Sequence, residues 1–282
     1  MKAFLGTGLL GSSFVKAMLK RGDQVQVWNR TSTKAKALEA DGAFAFENVV
    51  DAVKGVDVIH LTLKDDAAVD EVLEAASQGF SAGITIIDHT TTSVEGAIAR
   101  TSTWKAKGFN YLHAPVFMGP PNALEASGSM LVSGNQELIS KWNSELSRMT
   151  GKLMNFGEEE GKAAGMKLIG NLFLISMTAG LSDALALAKS LNIDSSNIAD
   201  LFASWNPGAG APSRLDKIRK GEFDNPSWEL SMARKDAGLM IDAANAKNVR
   251  LTVIPSIAEQ MDRYIEKGHG ADDWTVIAKD NL

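Results

Sequence analysis

The chain has 282 residues, 45% of them hydrophobic, enough for one large or two moderate domains with a substantial core. A formal net charge of −5 argues against a general nucleic-acid binder, and with no cysteine there is no disulfide and no thiolate chemistry. The longest apolar region, 168–181, is interrupted by Gly170, Asn171 and Ser176 and reads as too short for a bilayer span; no signal peptide is expected ahead of the first motif, so a soluble cytoplasmic protein is the expectation.

The first predicted strand is the apolar run Ala3-Phe4-Leu5, followed by a helical pattern over 9–21. Between them lies Gly6-Thr7-Gly8-Leu9-Leu10-Gly11, which reads G-x-G-x-x-G. A strand, a glycine turn and a helix together form the context of the dinucleotide fingerprint. Gly6 permits the tight turn, Gly8 lets backbone approach a pyrophosphate, and Gly11 lets helix and strand pack closely. The helix N-terminus offers free N–H groups and a partial positive charge to phosphate. A second strand, 24–28, follows at the expected distance and ends in Asn29-Arg30-Thr31, with Lys34 one helical turn on. The acidic residue that would bond a ribose 2′-hydroxyl is absent, and a guanidinium suited to a 2′-phosphate is present. NADP(H) is therefore expected in preference to NAD(H). Asn29 and Thr31 also suit a turn and a helix cap.

Further strands are predicted at 43–46, 56–63, 84–88 and 111–116, with helices at 32–41, 47–54, 66–78 and 94–107. Alternation of this kind gives a parallel, doubly wound Rossmann sheet with its ligand beyond the carboxyl ends of the strands. Those ends carry Thr62-Leu63-Lys64, His89-Thr90-Thr91-Thr92 and His113-Ala114-Pro115. A smaller unit follows: a Gly/Pro-rich loop over 117–128, a strand at 130–133, a helix at 136–149 and a strand at 152–156. From Glu158 the pattern turns helical, with helices at 161–191, 195–204, 229–247 and 255–267 and one short strand candidate at 251–253. The expected fold is α/β: a Rossmann domain over 1–160, and an all-α domain over 161–282 joined to it by the long helix. That helix is apolar on more than one face, which suits central burial in a subunit interface, hence a homodimer or tetramer.

Lys167 and Asn171 on the long helix are four apart and share a face, with Gly165 and Gly170 thinning the helix beside them. A lysine in so apolar a run is costly to bury without a purpose, although a stem lying along apolar surface with its head in water has the same spacing. His60, His89, His113 and His269 show no metal-ligand spacing, and no metal is expected. His60 reads as packed inside a strand, while His89 and His113 stand at strand ends.

Four blocks in order resemble the β-hydroxyacid dehydrogenase family, whose familiar member is 3-hydroxyisobutyrate dehydrogenase. They are Gly6-x-Gly8-x-x-Gly11, then His113-Ala-Pro-Val116 with Gly119 and Ala126-x-Gly128, then Gly161-x-x-x-Gly165-x-Lys167-x-x-x-Asn171, and finally Lys235-Asp236. The resemblance covers nearly the whole chain and implies reversible NAD(P)-dependent oxidation of a small hydroxy acid. By that resemblance Lys167 matches the catalytic lysine and Asn171 the substrate-orienting asparagine. Thr91 falls near the nicotinamide ribose, with Leu63 and Lys64 at the neighbouring strand end. Lys235 matches a lysine by the cofactor, Asp236 its neighbour, and Trp228 an aromatic wall of the substrate pocket.

One block departs from the family. Where Ser-Gly-Gly usually holds the substrate carboxylate, this chain has Phe117-Met118-Gly119 and then Pro120-Pro121-Asn122. A hydroxyl is lost, and the backbone N–H groups of Met118 and Gly119 remain as anion donors while the prolines supply none. A larger or less polar carbonyl compound is expected, reduced with Lys167 as general acid. Two alternatives stand beside this reading: an imine reductase, a relative that typically lacks the lysine, and a non-catalytic NADP(H) sensor.

Overall fold

The protein is described here by a computed structural model covering residues 1–282. The chain divides into two compact units, Met1–Asn171 and Leu172–Leu282.

The first unit opens with β1 (Lys2–Leu5), α1 (Leu9–Lys20), β2 (Val25–Trp28), α2 (Ser32–Lys36), β3 (Phe44–Phe46) and α3 (Val49–Ala52). It continues with β4 (Val58–Leu61), α4 (Asp66–Ala76), β5 (Thr85–Asp88), α5 (Val94–Ala106) and β6 (Asn110–His113). The six strands pair in parallel in the order β3-β2-β1-β4-β5-β6. The chain leaves β1 toward β2 and β3, then returns to lay β4 on the other side of β1. A crevice therefore opens at the β1–β4 switch point. Alternate residues of each strand enter different cores: Phe4, Val25, Val27 and Ile87 on one face, Ala3, Leu5, Ile59, Leu61 and Ile86 on the other. A sheet covered on both faces needs such continuous apolar runs, which is why these short strands were readable.

The strand predicted over 111–116 is two strands. β6 stops at His113, and after Ala114 and Pro115 the chain begins β7 (Val116–Phe117). Proline has no N–H to donate to a ladder. β7 pairs antiparallel with β8 (Ser129–Val132), which runs parallel to β9 (Lys152–Asn155). Within the predicted loop the structure has a short helix, α6 (Pro120–Leu124), and α7 (Gln136–Ser147) lies between β8 and β9. The prolines of the predicted Gly/Pro-rich loop occupy the first helical positions of α6, where no N–H is required.

A long helix, α8 (Lys162–Ser190), runs through the division between the units. After it come α9 (Ser195–Ser204), α10 (Ala211–Lys220), α11 (Leu230–Asn245) and α12 (Ile254–Tyr264). Residues 251–253 are not a strand. The N–H groups of Thr252, Val253 and Ile254 instead donate to the Asp183 carboxylate at 2.8, 2.8 and 3.1 Å, so a side chain of α8 caps α12. The second unit packs Phe223, Leu230, Ala233, Met261, Tyr264 and Val276 together. Beside them Asp273, wholly buried, accepts from Lys217 at 2.6 Å and from the Ser227 N–H at 2.8 Å.

α8 has 29 residues and a stretch of mean hydropathy 1.5, long and apolar enough by those measures to cross a membrane. This corrects the expectation from 168–181, because the helix continues through Gly170, Asn171 and Ser176. Of its four charged residues, Lys167 and Asp183 are nevertheless buried, each hydrogen-bonded to protein.

Candidate active site

A cleft of about 680 Å³ opens at the carboxyl ends of β1, β2, β4 and β5. The glycine turn forms its base. Gly6 has φ +92, and a Cβ there would meet the Thr62 backbone; a Cβ on Gly11 would meet the Gly6 carbonyl and Thr62 Oγ1. Gly8 is different: it has φ −69 and open space where a Cβ would stand. α1 starts at Gly8 with no side-chain cap, and its first residues Leu9, Leu10 and Gly11 line the cleft. The Thr7 hydroxyl is buried without a partner.

At the end of β2, Asn29 braces the turn: its Oδ1 accepts from the Thr7 N–H at 3.0 Å, and its Nδ2 donates to the Thr31 carbonyl at 3.0 Å. Thr31 stands at the N-cap position of α2 but makes no side-chain cap bond. Arg30, Thr31 and Lys34 are exposed and line the cleft, whereas nearby Lys36 is paired with Glu47 at 2.6 Å. An uncapped helix start, an open Gly8, an unpartnered hydroxyl and this basic rim fit a dinucleotide.

The β4 and β5 ends are locked to each other. Thr90 Oγ1 accepts from the Leu63 N–H at 3.0 Å, and the Thr90 N–H donates to Asp88 Oδ1 at 2.8 Å. Asp88 Oδ2 accepts from the Tyr111 hydroxyl at 2.6 Å, which accepts from Arg100 Nε at 3.1 Å. Arg100 is anchored in turn by Asp66 at 2.6 Å and Asp70 at 3.1 Å. Burial first, and then the Asp88 charge, push the Tyr111 hydroxyl well above its ordinary value, so it stays a donor. This network supports the Leu63, Lys64 and Thr91 positions of the cleft.

Under the cleft, His60 Nδ1 lies 3.0 Å from His89 Nε2, and His89 Nδ1 lies 2.8 Å from the Ala114 carbonyl. Burial lowers both imidazoles, His89 to about 4, so both are neutral near pH 7. Only a proton on His89 Nδ1 can serve Ala114, so His60 Nδ1 donates to His89 and His60 Nε2 is left without a partner. His89 also lines the cleft, while His113 Nε2 lies 2.9 Å from the Thr90 carbonyl.

Lys167 is only 8% exposed, so it is not a surface lysine with its head spread in solvent. It lines the cleft and donates to Asn171 Oδ1 at 3.0 Å. Its Nζ lies 4.3 Å from the centroid of the Phe117 ring. Burial holds its pKa below the usual lysine value.

The structure thus gathers Gly6, Gly8, Leu9, Leu10, Gly11, Asn29, Arg30, Thr31, Lys34, Leu63, Lys64, Thr91, Met118 and Lys167 around one cleft. Phe117 and Asn171 touch Lys167 rather than the open space. Gly119 offers less than expected: its N–H already donates to Asn122 Oδ1 at 2.9 Å and is not free for an anion. Trp228, Lys235 and Asp236 belong to the second unit, where Trp228 packs on Trp274 and Lys235 pairs with Asp236 at 2.9 Å. Sequence reasoning missed the wall formed by Ala68, Glu71, Val72 and Ala75 of α4. Their spacing of three and four is the signal that places them on one helix face.

Residues 2–157 match the family described as the NAD binding domain of 6-phosphogluconate dehydrogenase. The chain belongs to that family. It is an NAD(P)-dependent oxidoreductase, and its resemblance to the β-hydroxyacid dehydrogenases holds. Residues 159–281 match the NADPH-dependent reductive aminase-like C-terminal domain. The chain is 26% identical to the 3-sulfolactaldehyde reductase of Escherichia coli (strain K12), over 98% of this chain and 93% of that protein. It is also 26% identical to the mitochondrial 3-hydroxyisobutyrate dehydrogenase of Drosophila melanogaster, over 97% and 87% of the two chains. An imine reductase from Myxococcus stipitatus, solved in complex with NADP+, has the same fold, with a TM-score of 0.94 over 100% of both chains at 21% identity.

The two glycines of the turn are expected to fail differently. Gly11→Ala forces α1 off β1 and should lower stability by about 3 kcal/mol, the scale of an overpacked core. Gly8→Ala has room and should change stability by less than about 0.5 kcal/mol. It should still weaken dinucleotide binding by about tenfold or more, or about 1.4 kcal/mol. Urea unfolding and fluorescence titration of both variants check the contrast.

Proposed function

We propose that the protein is a soluble, cytoplasmic, NADPH-dependent reductase of a small aldehyde or ketone bearing apolar substituents, which oxidises the corresponding hydroxy compound in reverse. The observation that carries this reading is the Lys167 ammonium, buried in the cleft and held by Asn171 at 3.0 Å. In this reading residues 1–160 form the dinucleotide domain and 161–282 the helical domain.

The glycine turn and the start of α1 hold the pyrophosphate, and Arg30, Thr31 and Lys34 grip the 2′-phosphate. Leu63, Lys64 and Thr91, which line the cleft, would flank the nicotinamide ribose. A dinucleotide held there would supply the hydride that reduces the carbonyl carbon. As the C–H bond forms, the π electrons of the carbonyl move onto oxygen. Lys167 Nζ donates a proton to that oxygen and recovers one from water. Asn171 aims the ammonium, and Met118 contributes apolar surface. For Trp228, Lys235 and Asp236 the family resemblance remains the support.

The apolar face of α8 is the ground for self-association. Ile169, Leu172, Phe173 and Ile175 are each more than half exposed on the single chain. Such a patch marks an interaction surface. A homodimer or tetramer is proposed, and sedimentation that gives a monomer at micromolar concentration removes it.

A second reading, imine reduction, is favoured by the reductive aminase-like match over 159–281. An iminium arrives already protonated and has no use for the Lys167 proton. NADPH consumption with a panel of aldehydes, ketones, β-hydroxy acids and cyclic imines separates the two.

On the carbonyl reading, Lys167→Ala should lower turnover by about 10²–10⁴ with little change in NADPH affinity. Lys167→Arg should not restore it, since a guanidinium keeps its proton near neutral pH. Reduction needs the charged lysine, so its rate should fall as pH rises through the lowered Lys167 value; oxidation should rise over the same range. Rapid kinetics across pH on both variants checks this, and full activity in Lys167→Ala would end it.

Cofactor choice is tested at Arg30. Arg30→Ala should weaken NADPH binding by about 1.5–3 kcal/mol, the scale of hydrogen bonds to a charged group, and leave NADH binding nearly unchanged. Equal affinity of the unmodified protein for both cofactors, measured by titration calorimetry, would remove the preference.

A further inference from the structure

We propose that Phe117 is a positioning and specificity-determining residue: its ring and Asn171 together hold the Lys167 ammonium so that one N–H remains for the substrate, which selects a lone carbonyl oxygen over a carboxylate. The inference rests on the reading of Lys167 as the proton donor.

An alkylammonium has three N–H groups at tetrahedral directions. One donates to Asn171 Oδ1 at 3.0 Å. A second direction is taken by the Phe117 ring, whose centroid lies 4.3 Å from Nζ, within cation–π range. The third is left for the cleft, which Lys167 lines and Phe117 does not.

The ring is fixed from two sides. Its backbone is in β7, where Phe117 is paired with Ser129 of β8. Its outer edge lies against Gly170, where a Cβ would overlap the ring carbons. Lys167, Gly170 and Asn171 are three and four apart on α8, so one helix face carries the charge, the slot for the ring and the acceptor. Any side chain at 170 would displace the ring from the ammonium.

The same ring leaves a carboxylate poorly served. A desolvated carboxylate needs several donors. Here the ammonium has one N–H to give. The Gly119 N–H is spent on Asn122 at 2.9 Å and Pro120 and Pro121 have none, so of this loop's backbone only the Met118 N–H is left for an anion. A single acceptor atom is fully satisfied by one N–H.

The test uses the full-length protein with NADP+ bound and lysine labelled at 15Nζ. The Lys167 signal is assigned by its loss in Lys167→Arg and titrated by NMR in the unmodified protein, Phe117→Tyr and Phe117→Leu. Leucine keeps the site apolar but removes the ring face, so the Lys167 titration should move down by about 0.5–1.5 pH units. Tyrosine keeps the ring face and should hold the titration within about 0.3 units. In parallel, Phe117→Ser should raise kcat/KM for a semialdehyde carrying a carboxylate, relative to an uncharged aldehyde of equal size, by about tenfold or more. Unchanged titration in Phe117→Leu together with unchanged preference in Phe117→Ser overturns the proposal. If Lys167→Ala keeps the activity of the unmodified protein, the proton-donor reading fails first and this proposal with it. An active protein that loses its activity in Lys167→Ala but shows no Phe117 effect sinks the Phe117 role alone.

Discussion

The contact between the Gly6 carbonyl, Gly11 and the Thr62 hydroxyl leaves no room for a methyl group, and the rest of the first unit is arranged around that closeness. Thr62 Oγ1 donates to the Gly6 carbonyl at 3.1 Å, which ties the end of β1 to the end of β4 across the switch point. Because α1 can sit directly on this junction, its uncapped N-terminus opens toward the crevice. Asn29 completes the turn from the neighbouring strand with an amide that accepts one N–H and donates to another carbonyl. A carboxylate in its place could accept but not donate.

A second layer braces the cleft's other side from behind its lining residues. Leu63 and Thr90 come from different strands and are joined by one bond. Behind Thr90 runs a chain of polar groups from buried Asp88 through Tyr111 and Arg100 to Asp66 and Asp70 at the surface. Each member is satisfied, which is what makes a polar chain in an apolar interior a rigid element rather than a weakness. Lys167 has a different kind of environment, with one amide acceptor, one aromatic face and no carboxylate bonded to its Nζ.

The strand–helix alternation and the glycine turn were legible because both are local: short apolar runs and three glycines at fixed spacing. Lys167 and Asn171 were legible because helical spacing alone puts them together, and their hydrogen bond follows from it. What escaped was set by partners far away in the chain. Residues 251–253 looked like a strand because their apolar character says nothing of the Asp183 carboxylate that takes their N–H groups. α6 was hidden by prolines whose meaning depends on whether a helix begins or ends there. α10 lies in a stretch rich in charge, between Gly210 and a left-handed Gly221, and was not read at all. The Gly119 N–H looked free until Asn122 was seen to occupy it.

The neutral imidazoles at the heart of the sheet carry a cost in acid. His60, His89 and His113 are all buried, and burial lowers each below 6.5, His89 to about 4. As pH falls below 6.5, the unfolded chain takes up protons that the folded one refuses, so the stability these groups support above that value drains away. For His89 alone, the slope approaches about 1.4 kcal/mol for each pH unit between its folded and unfolded values. Acid therefore acts on the first unit from within, at three buried imidazoles, rather than at its surface charges.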